Sequence, residues 1–148
     1  MSTDRRVTED LIQTLEDGRE GFARAADRLA ESDRPDLSTK MRAFSEQRAR
    51  FSAELEQMAA TYGDDVEESG SMAGALHRGW MAVKDAIAGS DPHGVLDAAE
   101  QGEDHAVSEY RDALAKDISP SLRVVLERQF VDVQQAHDEV RALRNVHA

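Results

Sequence analysis

The sequence predicts an all-α protein: four long helices forming two antiparallel hairpins, joined by a long crossover that contains a short helix. Three observations predict it. Apolar residues recur at alternating spacings of four and three, with Leu11, Leu15, Phe22, Ala25 and Leu29 in one stretch. Met41, Phe44, Phe51, Leu55, Met58 and Tyr62 repeat the pattern in a second, and Leu122, Leu126, Val133, Ala136, Val140 and Leu143 in the last. Such spacing lines up one face of a helix that packs against neighbouring helices. Each of these stripes also carries, near its middle, a residue that does not build an apolar core: Gly18, Arg48 and Gln129. Finally, proline-bearing turns close the first and last pairs of stretches, whereas a long, partly polar segment over 63–91 separates the pairs.

Each element has its own signals. Thr8, followed by Glu9 and Asp10, reads as the N-cap of the first helix, with negative charge placed where the helix dipole favours it. That helix is expected to run to about residue 32. Ser32-Asp33-Arg34-Pro35-Asp36 is a short turn, because proline starts or ends helices and is excluded from their interiors. The second helix continues to about residue 62 and stops at Gly63. A polar loop over 63–70 follows, then a shorter helix over 71–88, apolar at Met72, Leu76, Trp80, Val83 and Ile87. Asp91 as N-cap with Pro92 at the first helical position opens a helix over 92–115. Ser119-Pro120 repeats the signal for a last helix reaching about residue 145.

Tight turns make each pair of long helices an antiparallel hairpin. The segment between the pairs is long enough to travel the length of a bundle, and a single long crossover is the connectivity of ferritin-like folds. One ferritin-like domain spanning 1–148 is the expectation, with its crossover at about 63–91.

Acidic residues outnumber basic ones 30 to 18 in this 148-residue chain, a formal charge of −12. Such a field repels nucleic acid and anionic lipid, and the basic residues form no dense run. No stretch approaches the ~20 apolar residues that span a bilayer. The absence of cysteine removes disulfides and thiolate metal sites and fits a cytoplasmic protein.

The polar interruptions point to the place to look. Glu16-Asp17-Gly18-Arg19-Glu20 in the first helix is echoed by Glu100-Gln101-Gly102-Glu103-Asp104 in the third. Both glycines fall near mid-height, and glycine inside a helix costs close to ~1 kcal/mol relative to alanine, so room is expected to be needed there. Arg48 counts level with Gly18, and a buried guanidinium requires carboxylate partners. Asp17, Gly18, Arg48, Gly102, Glu103, Asp104 and Gln129 are therefore expected to form a central polar layer that fixes helix register. A two-metal carboxylate centre is the competing reading, but it needs Glu-x-x-His on two helices. The nearest approaches are Gln134-x-x-His137 and Gln47-x-x-Arg50, and arginine cannot bind metal. A weaker single-metal site for iron, manganese or zinc would draw on Glu20, Glu103 and His137. His77 and Trp80 on the crossover helix are candidate interface residues, since tryptophan anchors helices and interfaces alike.

Leu15-x-Asp17-Gly18-x-x-Gly21-Phe22 resembles the first-helix signature of a bacterial ferritin-like four-helix-bundle family of unknown function. Gly70-Ser71-x-x-Gly74-Ala75-Leu76-His77-Arg78-Gly79-Trp80-Met81 resembles its crossover. Gly102-Glu103-Asp104 with Tyr110 and Ala113-Leu114, then Arg128-Gln129 and His137-Asp138, extend the resemblance over nearly the whole chain. It implies a ferritin-like fold, a bacterial source and an accessory role in stress physiology, and it supplies no activity. The expected role is non-enzymatic action by association, as a homodimer, with no resident cofactor.

Overall fold

The computed structural model describes residues 2–62 and 91–146. Among them are four α-helices and no strand. We number them α1 (Ser2–Glu31), α2 (Pro35–Ala59, prolonged by a 3-10 turn at Ala60–Tyr62), α3 (Pro92–Leu114) and α4 (Pro120–Val146). None is long and apolar enough to cross a membrane. The crossover helix expected over 71–88, with His77 and Trp80, lies outside the described residues.

α1 begins six residues earlier than its cap signal suggests. Thr8 is fully buried, and its hydroxyl donates to the carbonyl of Asp4 at 2.7 Å, the bond of a residue inside a helix and not of an N-cap. Tertiary contacts hold the extra turns. Val7 is buried in the core, and Asp4 Oδ1 accepts from the Ser119 N–H at 3.0 Å, tying the start of α1 to the α3–α4 turn.

The α1–α2 turn is a Schellman cap. Arg34 N–H bonds the carbonyl of Leu29 at 2.9 Å and Asp33 N–H that of Ala30 at 3.2 Å, with Asp33 in the left-handed region at φ 61°. Pro35 then opens α2. At the second hairpin the Asp91 carboxylate caps α3 by accepting from Gly94 N–H at 2.8 Å. The Arg123 guanidinium reaches back to the carbonyl of Leu114 at 2.8 Å, an acceptor that the end of α3 leaves open, and to that of Lys116 in the turn at 3.1 Å.

α1 packs on both α2 and α3, and α4 packs on α3, while α2 and α4 approach only thinly. α2 and α3 therefore stand on the diagonal of the bundle. Lys40 pairs with Glu139 and Glu54 with Arg128, so α2 and α4 run antiparallel. Val7 and Leu11 share a cavity with Glu109 and Ala113, and Phe22 to Leu29 share a core with Val95 to Ala99, so α1 and α3 are antiparallel too. The order is up, down, down, up. The end of α2 and the start of α3 consequently lie at opposite ends of the bundle.

The interior holds two apolar clusters. One gathers Phe22, Leu29, Leu37, Met41, Leu96 and Val140; the other gathers Leu11, Leu15, Leu55, Tyr110, Leu122 and Leu126. Between them lies the level of Gly18, Arg48 and Glu103, all buried. Close approach of α1 and α2 rests on serines seven apart: Ser38 Oγ donates to Ala26 O at 2.7 Å and Ser45 Oγ to Arg19 O at 2.8 Å. Both are buried, and so is Ser52, one heptad further on.

Candidate functional site

Arg48 sits in the middle of α2's inward face because it replaces an apolar residue in an otherwise unbroken stripe. It is 0 % exposed, the largest fully buried side chain among the described residues. Its guanidinium meets Glu103 of α3 in a two-pronged pair, Nη1 to Oε1 at 2.7 Å and Nη2 to Oε2 at 2.6 Å. Nε donates to Gln47 Oε1 at 3.2 Å, and the guanidinium carbon lies 5.3 Å from the centre of the Phe22 ring. The pair crosses the diagonal of the bundle. A planar fork facing a carboxylate is the strongest geometry available to such ions, and it satisfies a charge that would otherwise be stranded in an apolar interior.

Gly18 faces this pair from α1. A Cβ built there would stand 3.6 Å from Arg48 Cγ, an ordinary contact. Alanine fits, so crowding by Arg48 does not demand glycine, and the expectation of a tight clearance is corrected. Gly102 is buried beside Glu103. Asp17 is buried on α1, and its Oδ1 accepts from Gln13 at 3.1 Å.

Gln129 belongs to a second network nearer the α3–α4 turn. Tyr110 donates its hydroxyl to Gln129 Oε1 at 2.8 Å, and Gln129 Nε2 donates to Glu54 Oε1 at 2.8 Å. Glu54 also pairs with Arg128 at the surface. Burial, reinforced by the charges of Glu54 and Glu103 and opposed by Arg48, pushes the Tyr110 hydroxyl well above the usual phenol range. It therefore keeps its proton and stays a donor.

Asp104 leaves the interior altogether. It is exposed on α3 and meets His137 of α4, with Oδ1 2.6 Å from Nε2. His137 is 4 % exposed, and its Nδ1 faces Asp138 Oδ1 at 3.3 Å. Hydrogen bonds from His137 and Gln134 hold the Asp138 carboxyl below the usual carboxylate range. Glu100, one turn before Asp104, is buried between Arg141 and Arg144 of α4, with Arg141 Nε at 2.7 Å from Oε2. One ligand atom each from Glu100, Asp104 and His137 falls within 4.8 Å of the others. An open groove of about 330 Å³ runs past Asp104, Ser108, Arg111, Gln134, His137 and Arg141.

The three residues expected from the sequence to share a metal are thus dispersed. Glu20 is exposed on α1, Glu103 gives both oxygens to Arg48, and His137 stands instead with Asp104 and Glu100. Sequence reasoning missed Glu100 and its arginines. The signal was present in Glu100-x-x-x-Asp104 and Arg141-x-x-Arg144, spacings that put both members of each pair on one helical face.

Residues 6–116 match the model of a protein family described as a domain of unknown function, DUF2383. The match takes in α1, α2 and α3, with Arg48 and Glu103, and stops before α4. No curated protein matches the chain.

Proposed function

Since the chain belongs to the DUF2383 family, which is not defined by any activity, its role must come from its own side chains, and we propose that it is a ferritin-like bundle acting by self-association and not by catalysis. The observation that carries this reading is the Arg48–Glu103 pair. At the height where a four-helix bundle builds its cofactor or metal centre, the carboxylate is fully engaged by a permanently charged guanidinium that cannot be a ligand. That centre is a lock between helices. The up-down-down-up order supports the ferritin-like connectivity, and the bacterial origin and stress-related setting rest on the family resemblance alone.

Association needs a surface, and α4 offers one. Val124 and Val131 are 66 % and 58 % exposed, seven residues apart on the outward face. The partner is a second copy of the chain, meeting this face across a two-fold axis, since such interfaces are self-complementary. Sedimentation equilibrium tests it. The protein is expected to be a dimer, and Val124→Lys with Val131→Lys is expected to return a monomer with unchanged helical circular dichroism. A wild-type chain that stays monomeric at every concentration sinks the reading.

A further inference from the structure

We propose that Glu100, Asp104 and His137 form a binding site for a single first-row divalent transition metal on the α3–α4 face, away from the locked centre. The site does not depend on self-association.

Four features carry the proposal. The ligand types are right: one imidazole nitrogen and two carboxylates suit iron, manganese, cobalt or zinc, whereas calcium and magnesium avoid imidazole. The spacing is right: Glu100 and Asp104 lie one turn apart on α3, and His137 projects from α4, so that one atom of each falls within 4.8 Å of the others. The orientation of the imidazole is right as well. Asp138 Oδ1 stands 3.3 Å from Nδ1, the arrangement in which Nδ1–H donates to a carboxylate and the Nε2 lone pair is left for a metal. Nε2 is the atom that points at Asp104. Lastly, Asp104 and His137 line the open groove of about 330 Å³, which gives an ion an entry path and leaves room for water at the remaining positions.

The arginines set the strength of the site. Arg141 Nε donates to Glu100 Oε2 and Arg144 faces Oε1 as an ion pair, but Oε1 accepts no hydrogen bond among the described residues, so Glu100, unlike Glu103, retains an oxygen for the ion. Their positive charge lowers affinity and offsets part of the acidic field. Arg141 is half-exposed at its side chain, so removing it relieves the competition without opening the core.

The test uses the full, untagged chain titrated with Zn²⁺ by calorimetry and with Co²⁺ by visible absorption. One ion per chain is expected, with ligand-field bands that disappear in His137→Ala. Asp104→Ala, at an exposed position that leaves packing intact, is expected to lower Zn²⁺ affinity at least about 10-fold. Asp138→Ala, which removes only the group orienting the imidazole, is expected to lower it about 10–100-fold with the stoichiometry kept at one. Arg141→Ala is expected to tighten binding, a change that a site elsewhere on the acidic surface would not register. Unchanged Zn²⁺ affinity in Asp104→Ala overturns the proposal, and so does a Co²⁺ spectrum that survives in a folded His137→Ala protein. Absence of binding by either ion overturns it too.

Discussion

Glu109 is placed where its surroundings oppose its charge. It is 8 % exposed, its Oε1 finds no hydrogen-bond donor among the described residues, and it lines a narrow cavity with Val7, Asp10, Leu11, Ala113 and Lys116. Burial raises its pKa above the ordinary 4.5, the negative charges of Asp10 and Asp112 raise it further, and Lys116 only partly compensates. The folded state therefore holds this proton more tightly than the unfolded chain. By linkage, its contribution to stability is fully present below the unfolded pKa and is lost as pH rises through the folded pKa. Glu109→Gln removes that loss. The variant is expected to match wild type near pH 4 and to exceed it at pH 7, as read by urea denaturation across the range. A variant destabilised equally at both pH values shows that the ionised carboxylate is accommodated. In the sequence Glu109 stands four residues from His105 among other acids and reads as a solvated surface residue; only the packing of α1 against α3 buries it. Arg48 differs, because a cation within an apolar stripe is visible in one dimension.

At the scale of elements, the helix ends were legible where a side chain announces them and illegible where the backbone does. Asp91-Pro92 and Ser119-Pro120 gave two starts directly. The start of α1 was misplaced because Thr8 has the composition of a cap, while the contacts that extend the helix, Val7 in the core and Asp4 on Ser119, are tertiary. The Schellman cap at Asp33 was also hidden, since that position usually carries glycine and here carries aspartate at φ 61°. A left-handed conformation costs an L-residue roughly 1–2 kcal/mol, less for aspartate, and glycine gives part of that back as unfolded-state entropy. Asp33→Gly is accordingly expected to stabilise the protein by a few tenths to about 1 kcal/mol. Asp33 is exposed, so no packing confuses the comparison. A loss of stability on chemical denaturation contradicts the assignment of strain to this residue.

For the whole molecule, the question is why two apolar clusters are separated by an ion pair at all. The periodicity foretold a polar level but not its division: Arg48 and Glu103 pair across the diagonal, while Gln129 joins Tyr110 and Glu54 nearer the α3–α4 turn. Helix rotation and offset decide which polar residues meet, and neither is written in spacing. A diagonal pair constrains more than a pair between neighbours, because α2 and α3 can keep it only when all four helices hold one height and rotation. A slip of one turn, about 5.4 Å, would leave both charges buried without a partner. The pair therefore excludes wrong registers more than it adds to the right one. Glu103→Gln, which leaves Arg48 uncompensated, is expected to cost about 3–5 kcal/mol. Arg48→Met combined with Glu103→Leu is expected to be near neutral or stabilising, because packed apolar side chains replace both ions and no desolvated charge remains. The double variant should also lose register specificity, seen as broadened or multiple amide resonances in a heteronuclear spectrum despite undiminished helicity. If it keeps one sharp set of resonances at wild-type stability, the pair does not set the register, and the serine contacts of Ser38 and Ser45 between α1 and α2 carry that role alone.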